Sequence, residues 1–180
     1  MTREPRRRAL LVGVAEYQNF TGLPSVAVDL EVMAEVLGDS AIGGFDDVAP
    51  LLDPDAATLR LRITEFLADS EPDDLNVIYV SGHGLRKAEN GEFHLVASDT
   101  NRDDLAETAV SAGFLNERLA ACRARQRVLI LDSCESGGFT TGFTTERAAK
   151  RAEDEPLLPL KLKGVYILAS SQARDRKSVV

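Results

Sequence analysis

Apolar residues along the chain fall into short solid runs separated by stretches that repeat at helical spacing. Ala9 to Val14 is a continuous apolar run, the pattern of a strand buried on both faces. Val26, Leu30, Met33, Ala34 and Leu37 then recur every three or four positions, which predicts a helix with Ser25 as N-cap and Gly38 as its stop. Val48 to Leu52 reads as a weaker strand. A helix from about Asp55 to Ala68 follows, with Leu59, Ile63, Phe66 and Leu67 on one side. Asn76 to Val80 predicts a third strand, Phe93 to Ala97 a short additional one, and Val128 to Leu131 and Val165 to Ala169 two more. Between them, Ser111 opens a helix through Leu115, Leu119 and Cys122.

Strands alternating with helices predict an α/β fold, a mostly parallel central sheet with helices on both faces, three layers in all. In such sheets the functional crevice lies beyond the carboxyl ends of the strands. Two polar signatures fall at those ends: Ser81-Gly82-His83-Gly84 after the third strand, and Asp132-Ser133-Cys134 after the fourth core strand. One stretch breaks the rhythm. Residues 135–164 carry Gly137-Gly138, paired Phe-Thr segments and then a charged run, without a core-facing period. A connection of that length predicts a flexible, functional loop. No internal repeat is present.

Composition narrows the chemistry. A chain of 180 residues suits one domain. Its net charge of −8 argues against nucleic acid as a partner, because phosphate neutralisation needs a basic face. There are two histidines, His83 and His94, and two cysteines, Cys122 and Cys134, with no Cys-x-x-Cys spacing. A structural zinc site or a disulfide framework is therefore not expected, and no metal ligand set is assigned. Arg6-Arg7-Arg8 before an apolar run imitates a signal peptide, but the run is short and lacks a small-residue cleavage site. Residues 1–7 are read instead as a basic leader before a buried strand. No apolar stretch reaches the ~20 residues of a membrane span. A cytoplasmic protein with reduced thiols and no membrane partner is expected.

A cysteine nucleophile needs a base to take its proton, and histidine titrates in the useful range. An isolated cysteine is usually a small buried hydrophobe, and Cys122, at the helical spacing of Leu115 and Leu119, fits that description. Cys134 differs, because it and His83 each follow a core strand beside glycines. His94, between Phe93 and Leu95, reads as structural. A nucleotide-binding α/β domain is the weaker competitor, since no phosphate-binding Gly-rich loop occurs.

Tyr79-Val80-Ser81-Gly82-His83-Gly84 together with Leu131-Asp132-Ser133-Cys134-Glu135-Ser136-Gly137-Gly138 resembles the caspase-like peptidases, especially metacaspases and bacterial caspase homologues. Ala9-Leu10-Leu11-Val12-Gly13-Val14, Leu23-Pro24 and Asp29 also look like this family, over roughly Arg8 to Gln172. A histidine about 50 residues before the nucleophile is a known caspase signature, so that spacing carries the resemblance and adds nothing separate to it.

The resemblance implies a caspase-like catalytic domain over 8–172 and a cysteine endopeptidase. Cys134 would attack the scissile carbonyl, His83 would shuttle the proton, and the N–H groups of Gly84 and Cys134 would form the oxyanion hole. Asp132, two residues before the nucleophile, and Asp29 imply an acidic S1 pocket for Arg or Lys. The physics agrees, because two carboxylates facing a guanidinium give charge-assisted hydrogen bonds. Arg147, Lys150 and Arg151 become candidate self-cleavage sites in an activation loop.

The resemblance also implies that the tail at 173–180 stops before a small-subunit-like region or fused regulatory domain. No cofactor is required. Calcium activation follows from resemblance to some metacaspases only, because the alternating Asp99, Asn101 and Asp103 lack the glycine and terminal glutamate of a calcium loop. The competing function is a catalytically silent caspase-like scaffold or regulatory module.

Overall fold

The solid apolar run near the N-terminus forms β1 (Arg7–Gly13), in which every residue after Arg7 is buried. It runs parallel to β2 (Asp47–Leu52) on one side and to β3 (Leu75–Ser81) on the other. The computed structural model describes residues 3–87, 90–133 and 164–169. Among these, β7 (Gln126–Asp132) and β8 (Val165–Ala169) complete a five-stranded parallel sheet in the order β2-β1-β3-β7-β8.

Strand geometry sends alternate side chains to opposite faces, and each face finds its own cover. Leu10, Val12, Ile78, Val80, Leu129 and Leu131 pack with Leu59, Ile63, Phe66 and Leu67 of α2 (Ala56–Ala68) and with Leu115 and Leu119 of α4 (Ala112–Ala121). Ala9, Leu11, Val77 and Tyr79 on the other face meet Leu30 of α1 (Ser25–Gly38), with Met33, Ala34 and Leu37 beside it. Each fully buried leucine or isoleucine contributes about 1.5–3 kcal/mol. This is the expected three-layer α/β arrangement.

Among the described residues, two of the four α-helices start on a side-chain cap. Asp55 accepts from the Thr58 N–H at 2.6 Å and Ser111 from the Phe114 N–H at 3.1 Å. At α1 the expected Ser25 cap is corrected: Pro24 holds the cap position with φ −62° and makes no side-chain bond. Proline lacks an N–H and already has helical φ, so the helix starts without needing Ser25 as an acceptor. The basic residues near the N-terminus are held in place. The Arg6 N–H donates to Asp74 at 2.9 Å, Arg7 opens β1, and the buried Arg8 donates to the carbonyls of Phe66 and Asp69, each at 3.1 Å.

The structure adds a second, antiparallel sheet of three short strands. The expected short strand, β5 (Phe93–Val96), pairs on one side with β4 (Gly84–Arg86) and on the other with β6 (Ala109–Ser111). A 3-10 turn over Arg102–Asp104 and the single-turn α3 (Leu105–Thr108) lie between β5 and β6.

Candidate active site

The register of the parallel sheet makes its carboxyl edge flush. Gly13 lies opposite Leu52 and Ser81, and Ser81 opposite Asp132. The chain then leaves β3 through Gly82, whose N–H donates to the Asp132 carbonyl at 3.1 Å. Gly82 has φ +156°, and a Cβ there would come 2.8 Å from the Tyr17 hydroxyl, so a side chain is excluded on both counts. His83 follows, then Gly84 opens β4. A Cβ on Gly84 would lie 2.4 Å from the Phe93 ring and 2.9 Å from Ser133 Oγ. Two glycines thus let the histidine turn run tight between the sheet edge and the second sheet.

The loop between β1 and α1 wraps around His83. It is fastened at Val14 N–H to the Ser81 carbonyl (3.0 Å), at Gln18 N–H to the Ser98 carbonyl (2.8 Å) and at Leu23 N–H to the Ala15 carbonyl (2.8 Å). Asp53, itself at φ 51°, accepts from the N–H groups of Ala15 and Glu16 at 2.6 and 2.9 Å. From this anchored loop the Tyr17 hydroxyl accepts the His83 backbone N–H at 2.9 Å, and its ring lies 4.8 Å from the imidazole. The Phe20 ring lies 6.1 Å from the imidazole.

The Thr21 carbonyl sits 2.9 Å from His83 Nε2. A carbonyl only accepts, so Nε2 carries the hydrogen and, in the neutral ring, Nδ1 holds the lone pair. The turn, the ring and the tautomer of His83 are thereby fixed by three neighbours.

The two acidic candidates share the α1 face of the sheet edge. Asp29 projects from α1 and Asp132 ends β7; both side chains are exposed. Burial pushes the Tyr79 phenol up, the charges of Asp132 and Asp29 push it further, and a hydrogen bond with Ser81 opposes them. The charges of both carboxylates thus act on one phenol. Cys134 lies outside the described residues, as do Arg147, Lys150 and Arg151. The residue before Cys134 is described: Ser133 is 4% exposed and packs under Gly84.

A cleft of about 630 Å³ opens beside the histidine, lined by Gln18, Asn19, Phe20, Thr21, His83, Gly84, Leu85 and Arg102. Sequence reasoning missed Tyr17, Thr21 and Arg102. Thr21 acts through its backbone, so no side-chain pattern marks it. Tyr17 had a faint signal, an aromatic in a polar loop just past the first strand. The alternating residues considered for calcium have structural tasks here: Asp99 accepts from the Ala56 N–H at 2.8 Å, and Asn101 from the Asp103 N–H at 3.0 Å. His94 Nδ1 meets the Glu92 carbonyl at 3.1 Å, and buried Cys122 lies 3.6 Å from Asn76 Nδ2.

A parallel sheet with a histidine turn at its carboxyl edge is the architecture of a caspase-like α/β protein. The sequence profile of the caspase domain, peptidase family C14, matches residues 6–178, and the chain belongs to that family. Among solved structures it is similar to caspase-1 from Spodoptera frugiperda, at 16% identity and a TM-score of 0.62 over 94% of this chain. It is also similar to protein GSU0716 from Geobacter sulfurreducens, at 16% identity and a TM-score of 0.59 over 93% of this chain. The match spans 60% of the insect caspase and 72% of the bacterial protein. No curated protein sequence matches. Among the described residues, no helix is long and apolar enough to cross a membrane.

Proposed function

We propose that the chain is a cysteine endopeptidase that hydrolyses peptide bonds after arginine or lysine, with Cys134 as nucleophile and His83 as proton shuttle. The observation that carries this reading is the fixed imidazole: Nε2–H donates to the Thr21 carbonyl, so Nδ1 is the basic nitrogen at the cleft. Each step balances on groups of this chain. Nδ1 takes the Cys134 thiol proton, and the thiolate sulfur attacks the scissile carbonyl carbon. The oxyanion is held by the N–H groups of Gly84 and Cys134, one such donor being worth about 3–4 kcal/mol in the transition state. The C–N bond breaks as Nδ1–H returns the proton to the leaving amine. Water, deprotonated by Nδ1, then hydrolyses the thioester. Thiol, imidazole and backbone amides supply every step, so the chemistry calls for no cofactor.

That the charges of Asp29 and Asp132 both act on the Tyr79 phenol at the sheet edge supports basic P1 specificity. An arginine or lysine side chain there gains charge-assisted hydrogen bonds, whereas aspartate would face two like charges. The same specificity would allow self-cleavage after Arg147, Lys150 or Arg151.

Fluorogenic peptides with Arg, Lys or Asp at P1, assayed on wild type and Cys134→Ala, test the reading. Turnover of the Arg and Lys peptides, loss of it in the variant and at least a tenfold lower rate with Asp are expected. Equal background rates for wild type and variant on all three would refute it.

A further inference from the structure

The cleft beside His83 has a charge opposite to that of the protein around it. The chain carries 29 acidic against 21 basic residues, yet among the described residues the cleft's lining holds no carboxylate, and its one permanently charged side chain is Arg102. The Arg102 guanidinium lies over the Phe20 ring, 4.7 Å from its centroid. Stacking occupies one face of that planar group and leaves its edge of N–H donors in the plane, where they match a carboxylate. Among the described residues nothing competes for that edge: Arg102 takes part in no ion pair or hydrogen bond. Arg102 borders both this cleft and an adjoining one of about 350 Å³, and its sequence neighbours Asp103 and Asp104 line only the second.

The position of the cleft relative to the reaction follows from proton transfer. A general acid has to reach the leaving nitrogen, so the space on the histidine's side of the scissile bond receives the leaving-group half of the peptide. His83 and Gly84 line this cleft, while Asp29 and Asp132 do not. We infer that Arg102, stacked on Phe20, forms a leaving-group subsite that selects an acidic side chain within the first two residues beyond the scissile bond. This rests on the proposed peptidase reading for its orientation. The preferred substrate then carries opposite charges across the cut, basic before it and acidic after it.

Peptides with arginine before the cut, and Glu, Ala or Lys at the first or second position after it, test the subsite on the full chain. At low salt Glu is expected to exceed Lys in kcat/KM by about three- to fivefold, the range of an exposed ion pair, and less at high salt. Arg102→Ala should flatten the series and Arg102→Glu should invert it, with thermal melts confirming that both variants fold. Binding of the same peptides to Cys134→Ala, read by fluorescence anisotropy, gives the order of affinity without turnover. Absent cleavage with the Glu-first affinity order intact would sink the peptidase reading and leave Arg102 as a binding site for an acidic side chain. Cleavage or binding indifferent to the charge after the cut, or a preference that Arg102→Glu leaves unchanged, would overturn the subsite.

Discussion

Tyr17 does two things to His83 with one side chain: its hydroxyl accepts the backbone N–H and its ring flanks the imidazole. Tyr17→Phe keeps the ring and removes the acceptor, leaving a partly buried N–H without that bond at a cost of about 1–3 kcal/mol. If the proposed mechanism holds, kcat should fall about five- to tenfold with KM nearly unchanged, because the hydroxyl positions the base and does not touch substrate. The chain has only His83 and His94, so NMR can follow each imidazole separately. The variant should move the His83 ring resonances, because the hydroxyl fixes that turn, and leave those of His94 in place. A drop in melting temperature with unchanged His83 ring resonances and unchanged kcat would mark Tyr17 as a purely structural residue. The histidine itself was legible from its place after a strand between two glycines. The tyrosine hydroxyl and the Thr21 carbonyl were not, because contacts across 66 and 62 positions leave no local pattern.

At the scale of elements, β1 is held at its start by a carboxylate that no periodicity marks. Asp74, just before β3, accepts from the N–H groups of Arg6 (2.9 Å) and Glu71 (3.0 Å), and Arg3 pairs with it at 2.5 Å. Burial pushes its carboxyl up, but the backbone bonds from Glu71 and Arg6 and the charges of Arg3 and Arg6 outweigh that and hold it below the ordinary carboxylate range. A group depressed in the folded state stabilises fully above its unfolded pKa and loses that contribution as pH falls through the folded value. Asp74→Asn should therefore destabilise the protein at pH 7 by about 1.5–3 kcal/mol, the worth of hydrogen bonds to a charged group. Denaturant melts should show the gap between variant and wild type closing below about pH 4. A gap independent of pH would contradict this account.

The same scale shows why some elements were readable. The long runs of β1, β3 and β7 and the spaced leucines of α2 and α4 bury enough apolar surface to impose a period. β4 and β6, three residues each, are too short to display one and exist through pairing with β5.

For the whole molecule, the parallel register sets up the chemistry. Gly13, Ser81 and Asp132 end level, so β1, β3 and β7 hand the chain on from one edge. The net charge of −8 first argued only against nucleic acid as a partner. The structure distributes it unevenly: among the described residues the cleft beside His83 is lined by Arg102 and by no carboxylate. The family and the architecture were readable because the motifs sit at strand ends, where backbone geometry constrains residue type. The uneven charge was not, because it depends on how a loop and a 3-10 turn meet in space.

The central claim, a Cys134 nucleophile served by a basic P1 pocket, is tested most directly by covalent labelling. The full chain would be treated with a peptidyl acyloxymethyl ketone bearing arginine at P1, and the adduct located by intact mass and peptide mapping. One adduct on Cys134, none on Cys122 and far slower labelling by the aspartate analogue are predicted. Labelling of Cys122, no adduct, or equal rates for the two analogues would contradict it.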